Sequence, residues 1–259
     1  MKTGMIGKRL SSVSMLFYEC LVYYGGLLLF AAMSLCWSFV AMPLGLFLPR
    51  QAGVQIGRRV IAFGFRSYLA FLEKSGIVEC QLDELQSLGA EKSIIVAPNH
   101  PSLIDVVLMI AHLPNAVCII KANLLDQLIF GGSARLAGYI RNLSEARLII
   151  DATREIESGS QLLVFPEGTR TSGCDIQPFK GGFALIAKRA RAPVQTVFIE
   201  INQPFLCKGR SIFRKPDFPL VFRARLGERF SPPADVRPYI SRLEQYCRSE
   251  VMEKAAGES

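Results

Sequence analysis

Thirty consecutive residues near the start of the chain, Cys20 to Pro49, include no charged side chain. A signal peptide has a shorter apolar core and a small-residue cleavage site, so we exclude one here. An α-helix over residues 20–42 would be about 35 Å long, enough to cross a hydrocarbon core of about 30 Å. We therefore expect this segment to lie in a membrane. Pro43 is predicted to end its helix, because proline lacks an N–H and clashes with the preceding turn.

Basic residues flank the apolar run on both sides, which leaves its orientation open. They are Lys2, Lys8 and Arg9 before it, and Arg50, Arg58, Arg59 and Arg66 after it. Positive charge prefers the cytoplasmic side of a membrane, whereas a single crossing would separate the two flanks. A single span and a shallow or re-entrant two-helix anchor are both compatible with this pattern.

Residues 54–74 have the periodicity of an amphipathic helix. Arg59 and Arg66 lie opposite an apolar stripe, as in helices that lie at a membrane interface. The separation is imperfect, because Phe63 falls among the arginines. A helix that packs on the rest of the protein would show the same pattern, so both interpretations stay open. The stripe consists of Val54, Ile61, Phe65, Tyr68 and Leu72.

Composition narrows the class of partner. The formal net charge is +8 and 50% of the residues are hydrophobic, which favours anionic lipid surfaces or anionic substrates. Nucleic acid is the competing possibility, but we find no basic stripe with interleaved aromatic residues and expect no nucleic-acid partner. The seven cysteines are scattered without a C-x-x-C pair. This predicts neither disulfides nor a metal site, but reduced thiols on the cytosolic side.

Beyond Ile77, short apolar runs alternate with helical stretches. Strands are predicted over "SIIVAP", "AVCIIKA", "QLLVFPEG", "VQTVFIEIN" and "PLVFRARL". Helices are predicted over "SLIDVVLMIAHL", "SEARLIIDATREIESG", "GGFALIAKRA" and "ADVRPYISRLEQYCRSEVMEKA". The alternation predicts a single α/β domain over residues 78–259, with a mixed, largely buried sheet flanked by helices. Residues 1–77 would form an N-terminal membrane anchor and an amphipathic helix.

The stretch "APNHPSLID" places His100 five residues before Asp105. Residues five apart in a regular helix point about 140° away from each other. Pro101 changes this, because the residue before a proline avoids the α region and proline favours the first helical position. Asp105 can then accept the imidazole N–H and leave the other nitrogen as a general base, although a capping histidine beside a helix-terminal aspartate is the alternative. The second histidine, His112, precedes Pro114 at a helix end and is expected to be structural.

A second strand runs into a turn of special composition, "PEGTR" at residues 166–170. Pro166 and Gly168 shape a turn whose N–H groups can form an anion-binding concavity. Thr169 adds a hydroxyl donor and Arg170 adds a planar fork suited to phosphate. Glu167 can accept from a substrate hydroxyl or hold Arg170 in place.

With both motifs in this order, the chain resembles the glycerophospholipid acyltransferase family, of which lysophosphatidic acid acyltransferase is the best-known type. "NHPSLID" matches the family's N-H-x-x-x-x-D block, and "FPEGTR" matches its F-P-E-G-T-R block. The match continues through "QPFKGGFALIA", with Phe179, Lys180 and Gly182 in place. The middle block "KANLLDQLIFGGSARLAG" is similar to the family's as well, with these positions in register: Lys121, Leu124, Leu125, Gly131 and Gly138.

The resemblance implies a role for each site residue. His100 would be the base that deprotonates the acceptor hydroxyl, and Asp105 would orient it. The residues expected to hold the glycerol phosphate are Glu167, Gly168, Thr169 and Arg170, with Lys121 in the acceptor pocket. The donor would be a fatty acyl thioester on coenzyme A or acyl carrier protein, with no metal and no other cofactor. Membrane lipids would be the remaining partners, and the catalytic domain would face the cytoplasm from the inner (cytoplasmic) membrane.

The chain departs from the family pattern where the acceptor headgroup is expected. The family usually has an acidic residue at Asn123, a proline at Leu128, a basic residue at Ser144 and a second proline at Thr196. The alternative is therefore the same O-acyl transfer to a different, specialised lipid, or transfer of an unusual chain from acyl carrier protein. A hydrolase is disfavoured, because no G-x-S-x-G elbow is present. A non-catalytic lipid-binding scaffold would have no need for an oriented base.

Overall fold

The computed structural model describes residues 2–121, 126–127, 129–142, 144–171 and 176–257. The helices are α1 (Lys2–Phe47), α2 (Arg50–Lys74), α3 (Asp105–His112), α4 (Gly131–Leu136), α5 (Glu145–Glu157), α6 (Gly182–Ala190) and α7 (Val236–Gly257), with a 3-10 helix at Asp83–Ala90. The strands are β1 (Val78–Gln81), β2 (Ile94–Pro98), β3 (Ala116–Lys121), β4 (Ile140–Asn142), β5 (Gln161–Leu163), β6 (Val194–Ile201) and β7 (Leu220–Phe230).

The strands form one seven-stranded sheet in the order β1-β7-β6-β2-β5-β3-β4. Neighbouring strands are parallel except β6 and β7, which pair antiparallel. The sheet is therefore mixed, as predicted. The two outermost strands, "VECQ" and "IRN", were not predicted, because they are short and carry too few apolar residues to stand out.

Strand β2 is buried on both faces, as expected for a central parallel strand. Ile94 and Val96 pack into one cluster with residues of α2 and α3. Ile95 and Ala97 pack into the other with residues of α5, α6 and α7. The sheet thus lies between two helical layers, and His100 follows directly after its central strand.

Helix α2 packs on the domain through its apolar stripe. Ile61, Tyr68 and Leu72 are buried in the same cluster as β2, while Arg59 and Phe63 are exposed on the other side. The structure therefore favours the packing interpretation of this helix.

Arg58 and Arg66 do not behave as free flanking charges. Arg58 is 3% exposed, and its guanidinium donates to the Ala137 carbonyl, Asn115, Ser160 and Glu155 at 2.7–3.1 Å. The Arg66 guanidinium donates to the Ala111 carbonyl oxygen at 2.9 Å. These contacts agree with the packing interpretation of α2, because the domain offers oxygen acceptors to a helix that packs on it.

The prediction that Pro43 ends the first helix was also wrong. Helix α1 continues through Pro43 to Phe47. Proline removes one hydrogen bond from a helix, but packing can hold the turns on either side. Ala41 is 1% exposed, and Gly45 lies beside Leu136 of α4.

One helix within the described ranges is long and apolar enough to cross a membrane, by length and composition: Val13–Phe47, within α1. Only 11% of its most apolar window is buried against the protein. The segment is thus a candidate membrane anchor, whereas a helix in the core of a soluble domain would be mostly buried.

Replacing Gly132 with alanine is expected to separate α1 from α4. A Cβ at Gly132 would overlap the backbone carbonyl of Ser38. Because the carbonyl belongs to the backbone, neither helix can relieve this overlap without shifting as a whole. We expect a loss of about 1–3 kcal/mol of stability, the usual result of overpacking. The control is Gly25→Ala in α1, where the new methyl group would meet nothing within 4 Å apart from its chain neighbours and the backbone of its own helix. Thermal unfolding in detergent would compare the two, and equal midpoints would contradict the close packing.

Candidate active site

The predicted site residues lie at one edge of the sheet. Strands β2, β5 and β3 are parallel neighbours, so their carboxyl ends meet there. His100 follows the end of β2, the turn at residues 166–170 follows β5, and Lys121 is the last residue of β3. Sites of open α/β sheets are typically found at this edge.

His100 and Asp105 contact each other as predicted from their spacing. The Nδ1 atom of His100 lies 3.0 Å from Oδ2 of Asp105, and the Ser102 N–H donates to the same oxygen at 2.7 Å. An ionised carboxylate only accepts hydrogen bonds, so the proton belongs on Nδ1. The Nε2 atom then keeps a lone pair and can act as a base.

The helix after Pro101 begins later than expected. Residues 101–104 form a turn, and α3 starts at Asp105 itself. The Asp105 side chain accepts the Ser102 N–H and closes this turn. The pair therefore meets across a turn ahead of the helix, and Asp105 is its first residue.

Asp105 is fully buried, and one of its oxygens is unsatisfied. Burial raises the pKa of the Asp105 carboxyl above its ordinary value, while the hydrogen bonds from His100 and Ser102 oppose the rise. Among the described residues, Oδ1 of Asp105 has no hydrogen-bond partner. A poorly solvated carboxylate gains from a nearby positive charge. A positive charge beside Asp105 would therefore stabilise its buried carboxylate form.

Two further residues of the motifs hold His100, and the sequence did not identify them. The ring of Phe165 stacks on the imidazole with centroids 3.9 Å apart. The Asn99 side chain bonds both backbone groups of Ile199, donating to its carbonyl and accepting from its N–H. Asn99 thus continues the pairing of β2 with β6 beyond Pro98. Asn99 and Phe165 are the first positions of the two motif blocks, which is the signal that could have found them.

Thr171 joins the two motifs directly. Its N–H donates to the His100 carbonyl at 2.7 Å, and its Oγ1 accepts the His100 N–H at 3.2 Å. The Thr171 hydroxyl donates in turn to Glu167 at 2.6 Å. Glu167 is 3% exposed and also accepts the N–H of Gln177 at 3.0 Å. The Glu167 carboxylate is therefore engaged inside the protein, at a position for which the family resemblance implied substrate binding.

The rest of the turn combines a tight backbone with positive charge. Gly168 has a φ of +65°, which favours glycine, and the Lys180 side chain lies where a Cβ would be. The Arg170 Nη1 donates to the carbonyls of Leu206 and Cys207 at 2.8 and 3.1 Å. Thr169 is partly exposed beside them. The turn can therefore receive an anion near Lys180, with Arg170 anchored behind it.

Other predicted positions lie at the margin or outside the described ranges. Lys121 is exposed at the end of β3. The positions of the middle block that lie outside the described residues are Ala122, Asn123, Leu124, Leu125 and Leu128. His112 lies 2.9 Å from the Leu108 carbonyl through Nδ1, which agrees with a structural histidine. Within the described part of the chain, no group of three or more His, Cys, Asp or Glu residues is arranged to hold a metal ion.

Thr171→Val is expected to lower kcat more than it changes KM. Valine has nearly the same shape but leaves the His100 N–H and one Glu167 oxygen without a partner, which loosens the backbone that carries the base. Small misplacements of a reacting group can cost about 10- to 100-fold in rate. Thr171→Ser restores the hydroxyl and should recover most of the activity. Equal kcat values for Thr171→Val and wild type would show that this contact does not position His100.

Comparison with known proteins connects this geometry to a family. Residues 79–200, which contain both motifs, match the family model described as Acyltransferase. This region is similar to acyltransferase domains. The resemblance inferred from the two motifs is thereby confirmed.

Relatives of the acyltransferase domain occur in plants, bacteria and animals. The chain is 33% identical to a 1-acyl-sn-glycerol-3-phosphate acyltransferase of Cocos nucifera, over 37% of this chain and 33% of that protein. It is 28% identical to one of Helicobacter pylori strain J99, over 52% and 58%. It is 31% identical to 1-acyl-sn-glycerol-3-phosphate acyltransferase alpha of Homo sapiens, over 46% and 44%. The matches thus span less than two thirds of each of these relatives.

A solved structure shares the whole fold. The crystal structure of the 1-acyl-sn-glycerophosphate acyltransferase PlsC from Thermotoga maritima aligns with a TM-score of 0.66 and 20% identity, over 92% of this chain and 95% of that one. The predicted architecture, an α/β domain with a mixed sheet, is confirmed by this likeness.

Proposed function

We propose that the protein is an O-acyltransferase that moves a fatty acyl group from an acyl thioester to the free hydroxyl of a lysophosphatidic-acid-like lipid. The observation that carries this proposal is the 3.0 Å contact between His100 Nδ1 and Asp105 Oδ2 at the carboxyl edge of the sheet. The names of the relatives favour this acceptor class. The donor carrier, coenzyme A or acyl carrier protein, belongs to the proposal as well.

The proposed reaction needs one base and no covalent enzyme intermediate. Nε2 of His100 takes the proton of the acceptor hydroxyl while the hydroxyl oxygen attacks the thioester carbonyl carbon. Collapse of the tetrahedral intermediate breaks the carbon–sulfur bond. The leaving thiolate then takes the proton back from the imidazolium. Asp105 accepts a hydrogen bond from Nδ1–H throughout and stabilises the positive charge on the ring.

The phosphate of the acceptor would bind at the turn after β5. Lys180 places its ammonium over Gly168, and the Thr169 hydroxyl lies on the same turn. Arg170 adds charge while its Nη1 holds the loop that contains Leu206. An exposed ammonium next to a glycine turn suits a phosphate monoester.

The test is acyl transfer by the purified protein in detergent. Labelled acyl-coenzyme A or acyl carrier protein would be supplied with lysophosphatidic acid, and the products separated by chromatography. We expect phosphatidic acid to form, and the absence of an acylated product with every acceptor tested would overturn the proposal. Thioester cleavage that does not depend on an acceptor would instead indicate a hydrolase.

The departures in the middle block make a different acceptor lipid the alternative to lysophosphatidic acid, with the same O-acyl transfer. Lysophosphatidylglycerol and a monoacylglycerol without phosphate serve as comparison acceptors in the same assay. Preference for the former would point to another phospholipid. Preference for the latter would contradict a phosphate site at the turn after β5.

We also propose that α1 lies in the plane of one membrane leaflet, with the domain on the cytoplasmic side. Contacts between α1 and the rest of the protein run from Tyr18, which donates to the Ser75 carbonyl, to Gly45 beside Leu136. This stretch of helix is about 40 Å long at 1.5 Å per residue. A helix upright in a core of about 30 Å would draw the attached domain into lipid. An N-terminal epitope tag should therefore be protected from protease added outside right-side-out vesicles, whereas a single span would expose it.

A further inference from the structure

The connection between β6 and β7, residues 202–219, is the feature that the proposed chemistry leaves unexplained; we call it the β6–β7 loop. Its tip carries two exposed apolar side chains, Ile212 at 43% and Phe213 at 69% exposure. Basic residues lie on both sides of the tip, and no acidic residue occurs from Gln203 to Pro216. They are Lys208, Arg210, Arg214 and Lys215.

The tip is bound to α1. The Tyr23 hydroxyl donates to the Ile212 carbonyl at 2.6 Å, and the Tyr24 hydroxyl donates to the Phe213 carbonyl at 3.0 Å. Lys215 donates to Glu19 of the same helix at 2.8 Å. The loop therefore occupies one position relative to α1, and its apolar tip lies beside the helix.

The exposed tip continues an apolar stripe of α1. Exposed side chains recur along α1 at intervals of three or four residues, which places them on one face of a helix. They are Phe17 at 70%, Leu21 at 61%, Tyr24 at 40% and Leu28 at 72% exposure. Because Tyr24 belongs to this stripe and bonds Phe213, the stripe and the loop tip form one continuous apolar surface.

The base of the β6–β7 loop is attached to the site. The Leu206 carbonyl accepts from Arg170 at 2.8 Å and from the Leu103 N–H at 3.2 Å. Leu103 lies between His100 and Asp105 in the chain and is itself 51% exposed. One loop thus connects both catalytic motifs to the apolar surface of α1.

We propose that the β6–β7 loop is a second membrane contact, which inserts Ile212 and Phe213 into a leaflet of anionic lipid while the exposed Lys208 and Arg214 bind the headgroups. An apolar tip between cations matches such a surface in charge and in polarity. The loop would hold Arg170 and His100 at the depth where a lipid hydroxyl emerges from the leaflet. This inference rests on the proposed membrane placement of α1.

The test uses single tryptophans as depth reporters. The only native tryptophan is Trp37, and its indole N–H has no partner among the described residues, so Trp37→Phe removes no hydrogen bond of the described structure. In that background, one variant each would carry Phe213→Trp, Phe17→Trp or Met252→Trp. The native side chains at positions 213, 17 and 252 are 69%, 70% and 62% exposed, so the three sites are comparable in their exposure before membrane binding. Each variant is reconstituted into phosphatidylglycerol vesicles with brominated acyl chains.

We expect blue-shifted emission and strong quenching at positions 213 and 17, and neither at position 252. If the tryptophan at position 17 is quenched and the one at position 213 is not, the loop proposal is overturned while α1 stays in the membrane. The same result is expected if the loop tip binds another protein. No quenching at position 17 would overturn the membrane placement and the loop proposal with it. Because the readout is fluorescence, failure of the acyl-transfer assay does not affect it.

The basic flank has its own control. We expect the tryptophan at position 213 to be quenched more strongly in phosphatidylglycerol than in phosphatidylcholine vesicles. Lys208→Gln combined with Arg214→Gln should abolish this difference. Lys92→Gln, at an exposed lysine before the amino end of β2, should retain that excess. Equal quenching in the two lipids when Lys208 and Arg214 are both present would overturn the role of these charges.

Discussion

Replacing His100 with alanine is expected to lower kcat for acyl transfer by about 10³-fold, within the range typical of a lost general base. His100 is only 13% exposed and contacts Asp105, Thr171 and Phe165. Alanine keeps both backbone hydrogen bonds to Thr171 and removes only the ring. The loss should therefore appear in kcat with little change in thermal stability, measured as turnover and Tm on the same preparation.

Two variants control for the His100 result. His112→Ala removes the other histidine of the chain, which binds a helix carbonyl, and should keep most of the activity. Asp105→Asn keeps the shape but can donate to Nδ1, which moves the ring proton to Nε2 and blocks the base. It should approach the defect of His100→Ala. Full activity in His100→Ala would exclude the mechanism, and a larger defect in His112→Ala would place the base elsewhere.

Arg58→Met is expected to lower the free energy of unfolding by about 3 kcal/mol, near the lower end for breaking a buried ion pair. The Arg58 guanidinium is 3% exposed and satisfies four oxygen-bearing groups from separate parts of the domain. Methionine fills the space and leaves those groups without their donor. Glu155 is 21% exposed, so water can partly replace the lost charge. For a chain of this size the Tm should fall by about 6 °C.

The neighbouring arginine provides the matched control. Arg59 is exposed on the opposite side of α2, and Arg59→Met should change stability by no more than about 0.5 kcal/mol. Arg58→Lys keeps a charge that can reach Glu155 but not the other acceptors, so an intermediate Tm is expected. Equal midpoints for Arg58→Met and Arg59→Met would mean that the network does not fasten α2 to the domain.

The sequence pattern was sufficient to predict a structural feature where the physical cause of that feature lies among residues near each other in the chain. The strand before His100 could be predicted because a central parallel strand is apolar throughout, and the pair with Asp105 because Pro101 restricts the turn between them. The start of α3 was misplaced, because the Asp105 side chain competes with helix hydrogen bonding through Ser102. Pro43 was misjudged for a related reason, since packing against α4 outweighs its local preference.

By itself, the sequence determined the apolar character of α1, the α/β alternation and the spacing that lets His100 meet Asp105, since each depends on neighbours within a few turns of chain. Only the tertiary structure decided that Arg58 is buried, that Thr171 joins the motifs, and that Glu167 faces inward. It also decided that the β6–β7 loop lies beside α1. Each of these depends on a partner brought near by the sheet order, in which β5 and β6 flank β2 although both follow it far along the chain. Hydrogen bonds and burial between such partners leave no periodic trace in the sequence.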